Sequence, residues 1–475
     1  MTTSIAPNAI ADATTLAREP AKGASAAATG AAIEHADDAG VALPHHIVVV
    51  GGGAGGLILA TKLGDRLGRR GKARVTLVDC ALTHIWKPLL HEVAAGTLHA
   101  AADGLDYLVH AGRHHFTFEL GRMTGLDRSA REILLEPVHD ASGVEIVPAQ
   151  RIGYDTLVIA VGSVLNDFGV PGVAEHCLYL DTLAHAERIQ QIVLRRFLRG
   201  HSEARTATLP RLRVAIVGAG ATGVEFAAEL RHAGRRLTGY RLRGFERDES
   251  LEVRLIEAAP SVLPALPERV QEATAHQLQA LNIEVHTGQQ AREVTAEGIH
   301  TRSGDFFPAD LIVWTAGVKG PSWLADLDGL EVDRLGRLVV DQTLRTTRDE
   351  SIFALGDCAA CPQPDSEDTV PPRAQAAYQQ AHTLAKSLAR RLQGKPLLPF
   401  RYKDYGSLIS LSCSTIGNLM GNLFKSITIE GRLARLAYLS LYQRHQSALH
   451  GLGWVTLKAL ANLLQRRTRP ELKLH

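Results

Sequence analysis

An α/β fold with two Rossmann-like dinucleotide-binding domains and a C-terminal membrane-associating helical segment is what this sequence predicts, on three observations. Four branched apolar residues, Ile47 to Val50, run into "GGGAGG", Gly51 to Gly56. The pattern returns in "LRVAIVGAGATGVEFAAEL", which begins at Leu212. From Lys425 to the end, nine Lys or Arg face two acids, among apolar residues at helical spacing.

Length and composition bound the reading. The 475 residues fit two or three domains. A net charge of +2 excludes a whole-molecule polyanion binder, so no nucleic-acid partner is expected. Five cysteines in so long a chain do not read as a disulfide framework and point to a reducing compartment. Residues 1–44, rich in Ala, Thr and Gly without periodicity, read as a disordered tail. No run of 18 apolar residues occurs, so no spanning helix is expected.

In the first turn, Ile47 to Val50 reads as a buried parallel strand and Leu57 to Leu67 as a helix. Gly51 allows the tight turn, Gly53 lets the backbone approach a pyrophosphate, and Gly56 lets helix and strand pack closely. The helix N-terminus offers N–H groups to phosphate. A second strand, Val75 to Val78, ends in Asp79, placed to accept hydrogen bonds from an adenosine ribose.

The second turn repeats this with Gly218, Gly220 and Gly223 after the strand Val214 to Val217. Its acid, Glu257, follows the strand Leu251 to Ile256. It comes late because "RRLTGYRLRGFERDES", Arg235 to Ser250, reads as a polar basic excursion that loops out. No arginine directly follows Glu257, and a carboxylate there repels a 2′-phosphate, so this site reads as NAD rather than NADP. The first site then holds a different nucleotide. A flavin is the companion that hydride chemistry requires, because no side chain accepts a hydride. "IFALGDCAA", Ile352 to Ala360, places Asp357 at a strand end, where a carboxylate binds ribityl hydroxyls. "YDTLVIAVGS" at Tyr154 and "ADLIVWTAGV" at Ala309 flank the second unit as the two crossings between domains. The expected division is a tail at 1–44, an FAD-binding domain at 45–164 and 317–395, an inserted NADH-binding domain at 165–316, and a membrane-associating region at 396–475.

This order of motifs resembles the two-dinucleotide-binding-domain flavoproteins of glutathione-reductase-like fold. Within them it resembles the type II NADH dehydrogenases, the single-subunit respiratory NADH:quinone oxidoreductases, in their enterobacterial branch. The matching segments are "HIWKPLLHEVAAGTL" at His84, "GAGATGVEFAAEL" at Gly218, "RAQAAYQQA" at Arg373, "RYKDYGSLISLS" at Arg401 and the terminal "RPELKLH". The resemblance implies FAD and NADH as cofactors and a quinone as acceptor. It implies FAD contacts from Gly51, Gly53, Gly56, Asp79, Lys87, Asp357 and Gln375. For NADH it implies Gly218, Gly220, Gly223, Glu257 and Gly317. Glu225, Gln379 and Gln380 take catalytic places near the nicotinamide and quinone. Taken bare, Lys87 is also readable as a surface lysine, Glu225 as a helix N-terminal charge and the glutamines as an exposed helix face. The paired histidines His45, His46 and His114, His115 lack partners at metal spacing, and no metal site is expected.

The rival reading is a flavoprotein that uses thiols or passes its electrons to a protein partner. A disulfide reductase places C-x4-C after the first glycine turn, where only Cys80 stands. A sulfide:quinone oxidoreductase-like enzyme would need a pair such as Cys177 and Cys358, or Cys358 and Cys361, but has no use for an NAD turn. The expected activity is hydride transfer from NADH to FAD and two-electron transfer to a membrane quinone, without proton pumping. Two apolar sets, Leu433, Leu436, Ala437, Leu441 and Trp454, Val455, Leu457, Leu460, Leu463, Leu464, with basic residues between them, read as helices lying in the bilayer interface. The expected location is peripheral, on the cytoplasmic face of the inner (cell) membrane, and a homodimer is allowed.

Overall fold

The chain lays down two similar halves in turn. Strands β1 (His46–Val50), β2 (Arg74–Asp79), β3 (Thr117–Leu120) and β4 (Thr156–Ile159) come first, all parallel. Then follow β5 (Leu178–Tyr179), β6 (Leu212–Val217), β7 (Leu251–Ile256), β8 (Ile283–His286) and β9 (Leu311–Trp314), again parallel. The chain returns to add β10 (Ile352–Ala354) beside β4. The sheet orders are β10-β4-β1-β2-β3 and β5-β9-β6-β7-β8. In each, the central strand has its successor on one side and a much later strand on the other. That reversal of order opens the crevice where doubly wound sheets bind ligands. Each half also carries a three-stranded antiparallel meander, Met123–Gly153 before β4 and Ala291–Pro308 before β9.

This computed structural model describes residues 44–100, 104–140, 142–203, 211–239, 251–364, 366–412, 414–419, 427–430 and isolated positions from 431 to 461. The expected tail therefore lies outside the described residues, apart from Pro44.

The helices used below are, in chain order, α1 (Gly56–Arg66), α2 (Leu90–Ala94), α3 (Tyr107–Arg113), α4 (Leu183–Glu203), α5 (Ala221–Gly239), α6 (Glu268–Ala280) and α7 (Ala374–Arg391). Helices cover the parallel strands, so the strand sequences are apolar on both faces: all five residues of β1 are buried. Leu57, Ile58, Leu59 and Leu63 of α1 are wholly buried, as are Val224, Phe226 and Leu230 of α5. Each large side chain so placed contributes about 1.5–3 kcal/mol. The expected excursion at Arg235 begins later than the sequence suggests, because α5 continues to Gly239. Its remainder lies outside the described residues.

The connections between halves run side by side. Val164–Leu165 pairs antiparallel with Val318–Lys319, so the outgoing and returning chains are hydrogen-bonded to each other. The C-terminal region starts as a sheet, which the sequence reading did not foresee. Strands β11 (Gly406–Leu411), β12 (Ser414–Leu419) and β13 (Ile427–Glu430) form an antiparallel meander. Ile409, Leu411 and Ile416 enter the core of the second half. Among the described residues no helix is long and apolar enough to cross a membrane.

Both glycine turns have the same build. Gly51 and Gly218 sit at φ +99° and +102°, where only glycine is unstrained. A Cβ on Gly56 would collide with the Gly51 carbonyl oxygen, and one on Gly223 with that of Gly218. A Cβ on Gly53 or Gly220 would meet nothing within 4 Å. Gly56→Ala is thus expected to cost about 1–3 kcal/mol of folding free energy. Gly53→Ala should cost under about 0.5 kcal/mol. Urea unfolding of the two flavin-stripped variants checks the contrast, and equal losses would contradict it.

Candidate active site

The acid after each second strand anchors the turn before it. Asp79 Oδ2 accepts a hydrogen bond from Gly52 N at 2.6 Å and Oδ1 accepts one from Ala81 N at 2.9 Å. Glu257 does the same one sheet away, with Oε2 on Ala219 N at 2.6 Å and Oε1 on Ala259 N at 2.8 Å. Burial pushes the Asp79 carboxyl above its ordinary value, and the amides of Gly52 and Ala81 oppose that rise. A carboxylate has about four lone-pair sites, so both acids keep acceptor capacity for ribose hydroxyls. Tyr107, which the sequence reading missed, backs the first turn. Its hydroxyl donates to the Gly52 carbonyl at 2.8 Å, and its ring stacks on Phe118.

Asp357 lies in a 3₁₀ turn, Gly356–Cys358, just past β10. The Ser163 hydroxyl donates to its Oδ2 at 3.0 Å. Burial pushes its carboxyl up, and nearby Lys87 opposes the rise. Lys87 Nζ donates to the Ser163 carbonyl at 3.2 Å and forms an ion pair with Asp181. Lys87 therefore links the Asp357 turn of one half to Asp181 of the other. Gly317, at φ +65°, ends the β9 connection, with the Phe168 ring over the side where a Cβ would stand.

The three glutamines grip main chain. Gln380 is buried, and its Oε1 accepts from Gly356 N at 2.7 Å, which holds the Asp357 turn. Gln379 donates to the Lys403 carbonyl at 2.8 Å and accepts from Lys403 N at 3.1 Å. Gln375 donates to Asp404 and to the Gly406 carbonyl and accepts from Tyr405 N. Four residues past Gly406, Ser410 N donates to Glu225 Oε1 at 2.9 Å. Residues 403–410 thus form a strap from α7 to α5, clamped by three of the residues picked from sequence.

Glu225 is 7% exposed. Burial pushes its carboxyl up to about 8, with Glu92 and Glu229 adding to the rise and the Ser410 amide opposing it. His91 of α2 lies beside it, Nδ1 to Oε2 3.7 Å, and burial holds that imidazole well below its ordinary value.

The three thiols named for a thiol-using enzyme, Cys177, Cys358 and Cys361, are not placed for chemistry. Cys358 and Cys361 are fully buried, and burial pushes them up to about 11 and about 12. Cys177 is likewise pushed up to about 12. The reactive species is the thiolate, which such surroundings suppress. Cys413 lies outside the described residues.

Residues 45–381 match the family model of the pyridine nucleotide-disulphide oxidoreductases. The chain is 44% identical over 446 residues to a type II NADH:quinone oxidoreductase of Haemophilus influenzae, spanning 90% of this chain and all of that one. The chain belongs to the type II NADH:quinone oxidoreductases. It is also 30% identical to a demethylphylloquinone reductase of Synechocystis, over 86% of this chain and 95% of that one. Among solved structures, the NDH2 of Plasmodium falciparum in complex with NADH matches with a TM-score of 0.75 at 18% identity, covering 90% of this chain and all of that one. That likeness speaks for the fold. As a type II NADH:quinone oxidoreductase, the chain carries two acid-anchored glycine turns of one design, and Lys87 and Ser163 connect Asp357 to Asp181. Ser163 and Asp181 have no motif of their own and emerge only from packing.

The raised Glu225 has a consequence for stability. Its folded-state value, about 8, lies above its ordinary 4.5. The folded state therefore binds the extra proton between those values, and stability falls as pH rises through that window. His46 is opposite: burial lowers it from 6.5 to about 4, so its contribution is full above 6.5 and is lost as pH falls toward 4. Glu225→Gln should gain stability over the parent from about pH 5 to pH 9, a tenfold difference in proton affinity between folded and unfolded chain being worth about 1.4 kcal/mol. Urea midpoints of parent and variant across that range check this, and a constant difference would refute it.

Proposed function

We propose that the chain passes hydride from NADH to bound FAD and two electrons on to a membrane quinone, without pumping protons. The observation that carries this is the pair of acid-anchored glycine turns at two switch points, in a chain so similar to a type II NADH:quinone oxidoreductase. The residues fit FAD: a side chain on Gly53 would meet nothing within 4 Å at the start of α1, Asp79 anchors the adjoining Gly52, and the Asp357 carboxylate follows β10. When bound, FAD takes two electrons from a nicotinamide and gives them to a quinone. Gly51, Gly53 and Gly56 seat its pyrophosphate at α1, Asp79 its ribose and Asp357 its ribityl chain, with Lys87 beside the ring system. Gly218, Gly220 and Gly223 seat the NADH pyrophosphate, Glu257 holds the ribose and Gly317 borders the nicotinamide.

Glu225 is the acid near the nicotinamide and quinone. In this reading Gln375, Gln379 and Gln380 act by holding the strap and the Asp357 turn, since their amides bond main chain. The domain limits we propose remain 45–164 with 317–395, and 165–316, a division supported by the paired connections at Val164–Leu165 and Val318–Lys319. The thiol-using alternative is disfavoured by the buried, high-pKa cysteines.

The quinone is met at a bilayer by helices after Arg432, on the cytoplasmic face of the membrane; a homodimer is compatible with this arrangement. Most of that segment lies outside the described residues, yet two positions bear on it. Leu449 is buried in the core of the first half, whereas Leu457 is 67% exposed. A segment docked at one point and presenting apolar residues at another suits interfacial binding.

Two measurements test this reading. Glu257→Ala removes charge-assisted hydrogen bonds of about 1.5–3 kcal/mol each. It should weaken NADH binding by about 10- to 100-fold and NADPH much less. An unchanged preference would place the NADH site elsewhere. A chain stopped near residue 430 should leave the membrane fraction and keep FAD and NADH oxidation with a water-soluble acceptor, but lose activity with membrane quinone. If it still sediments with vesicles, the anchor lies elsewhere.

A further inference from the structure

The proposed reaction balances only with a proton from water. NADH, a quinone and one H⁺ give NAD⁺ and the quinol, because the hydride brings two electrons and only one of the two hydrogens. Glu225 is only 7% exposed, so its direct contact with solvent is small. His91, 2% exposed, stands next to it, with Nδ1 3.7 Å from Glu225 Oε2. On the other side of the ring, Nε2 is 4.0 Å from Glu92 Oε1, and Glu92 is 28% exposed. The imidazole therefore lies between one carboxylate that reaches water and one that does not. Each gap is slightly longer than a hydrogen bond and is of a size that a small rotation of the ring or carboxylate closes. An imidazole can take a proton on one nitrogen and release one from the other.

We propose that Glu92 and His91 are the proton-entry path to Glu225, with His91 as the relay. The Glu225 O–H bond breaks as its proton goes to a quinone oxygen, and the electron pair stays on the carboxylate. The electrons that reduce the quinone come from NADH. His91 takes a proton on Nε2 from Glu92 and gives its Nδ1 proton to Glu225; rotation of the ring restores the starting tautomer, and water reprotonates Glu92. The groups facing this path come from three helices and a strand. Glu229 of α5, 8% exposed, favours a proton on His91, as does the Pro88 carbonyl, which accepts from the ring. The Ser410 amide of β11 favours ionised Glu225. Helix α4 contributes apolar Ala186, Ile189 and Val193 to the core beside α2. Burial disfavours a resident imidazolium, so charge on His91 is transient.

This inference rests on the reading of Glu225 as the acid beside the acceptor. The test uses full-length, FAD-loaded His91→Gln, Glu92→Gln and Glu225→Gln. Three rates are compared: flavin reduction by NADH in stopped flow, turnover with ferricyanide, which takes electrons without protons, and turnover with a soluble quinone from about pH 6 to pH 9. For His91→Gln and Glu92→Gln, quinone turnover relative to ferricyanide turnover should fall at least about tenfold. The loss should grow toward high pH, while flavin reduction keeps its parent rate. Added imidazole or a small carboxylic acid should restore part of the turnover of Glu92→Gln. Parental quinone profiles in both variants would overturn the entry path. If Glu225→Gln alone is slow, the path fails and the reading of Glu225 stands; if Glu225→Gln is also parental, that reading fails too. Should His91→Gln not retain flavin, the pH profile and rescue of Glu92→Gln decide the matter.

Discussion

Each nucleotide turn is held by a carboxylate reaching across from the neighbouring strand to the second residue of the turn. Asp79 holds Gly52 and Glu257 holds Ala219, both at 2.6 Å. A charged acceptor makes such a bond stronger than a neutral one. It also fixes the main chain one residue before Gly53 and Gly220, the positions open enough for a ligand to approach. The rest follows from that constraint. The turn is fixed, so the helix start is fixed, and the close packing at Gly56 and Gly223 becomes obligatory. The same carboxylate then keeps acceptor capacity beyond the two amides it holds, which is what the proposed ribose contact needs.

The two halves repeat this device on five-stranded parallel sheets with the same arrangement around the central strand, and they are joined rather than merely adjacent. Val164–Leu165 pairs with Val318–Lys319, and Lys87 pairs with Asp181. Two nucleotides that must exchange a hydride need to be held at near-contact distance. Short paired connections and an ion pair across the halves serve that need better than a flexible linker would.

Much of this was legible in the chain itself. Glycine spacing, the apolar run before it and the acid after the next strand obey local rules, so Gly51 to Gly56, Gly218 to Gly223, Asp79 and Glu257 stood out. Asp357 stood out because it follows a buried strand. Tyr107, Ser163, Asp181 and His91 did not. Tyr107 meets Gly52 from 55 positions away and Ser163 meets Asp357 from 194, and no local pattern encodes such meetings. The sheet of Gly406–Glu430 was missed for another reason. Its apolar residues pack against α5 and α6 of the distant second half, so its role is set by a partner that the sequence does not place beside it.

The strap shows why the glutamine motif was visible while the segment it holds was not. Gln379 bonds both the N–H and the carbonyl of Lys403, and Gln375 bonds Tyr405 N and the Gly406 carbonyl. Glu225 takes the N–H of Ser410. All of these contacts read the backbone, which every residue except proline presents alike. The grip is therefore indifferent to the side chains at 403, 405 and 410. Elsewhere in the strap side chains do matter: Asp404 is held by Gln375 and Arg373, and Ile409 lies in the core. Side chains at 403, 405 and 410 can therefore change without loosening the main-chain bonds that hold the Glu225 carboxyl and the two glutamines.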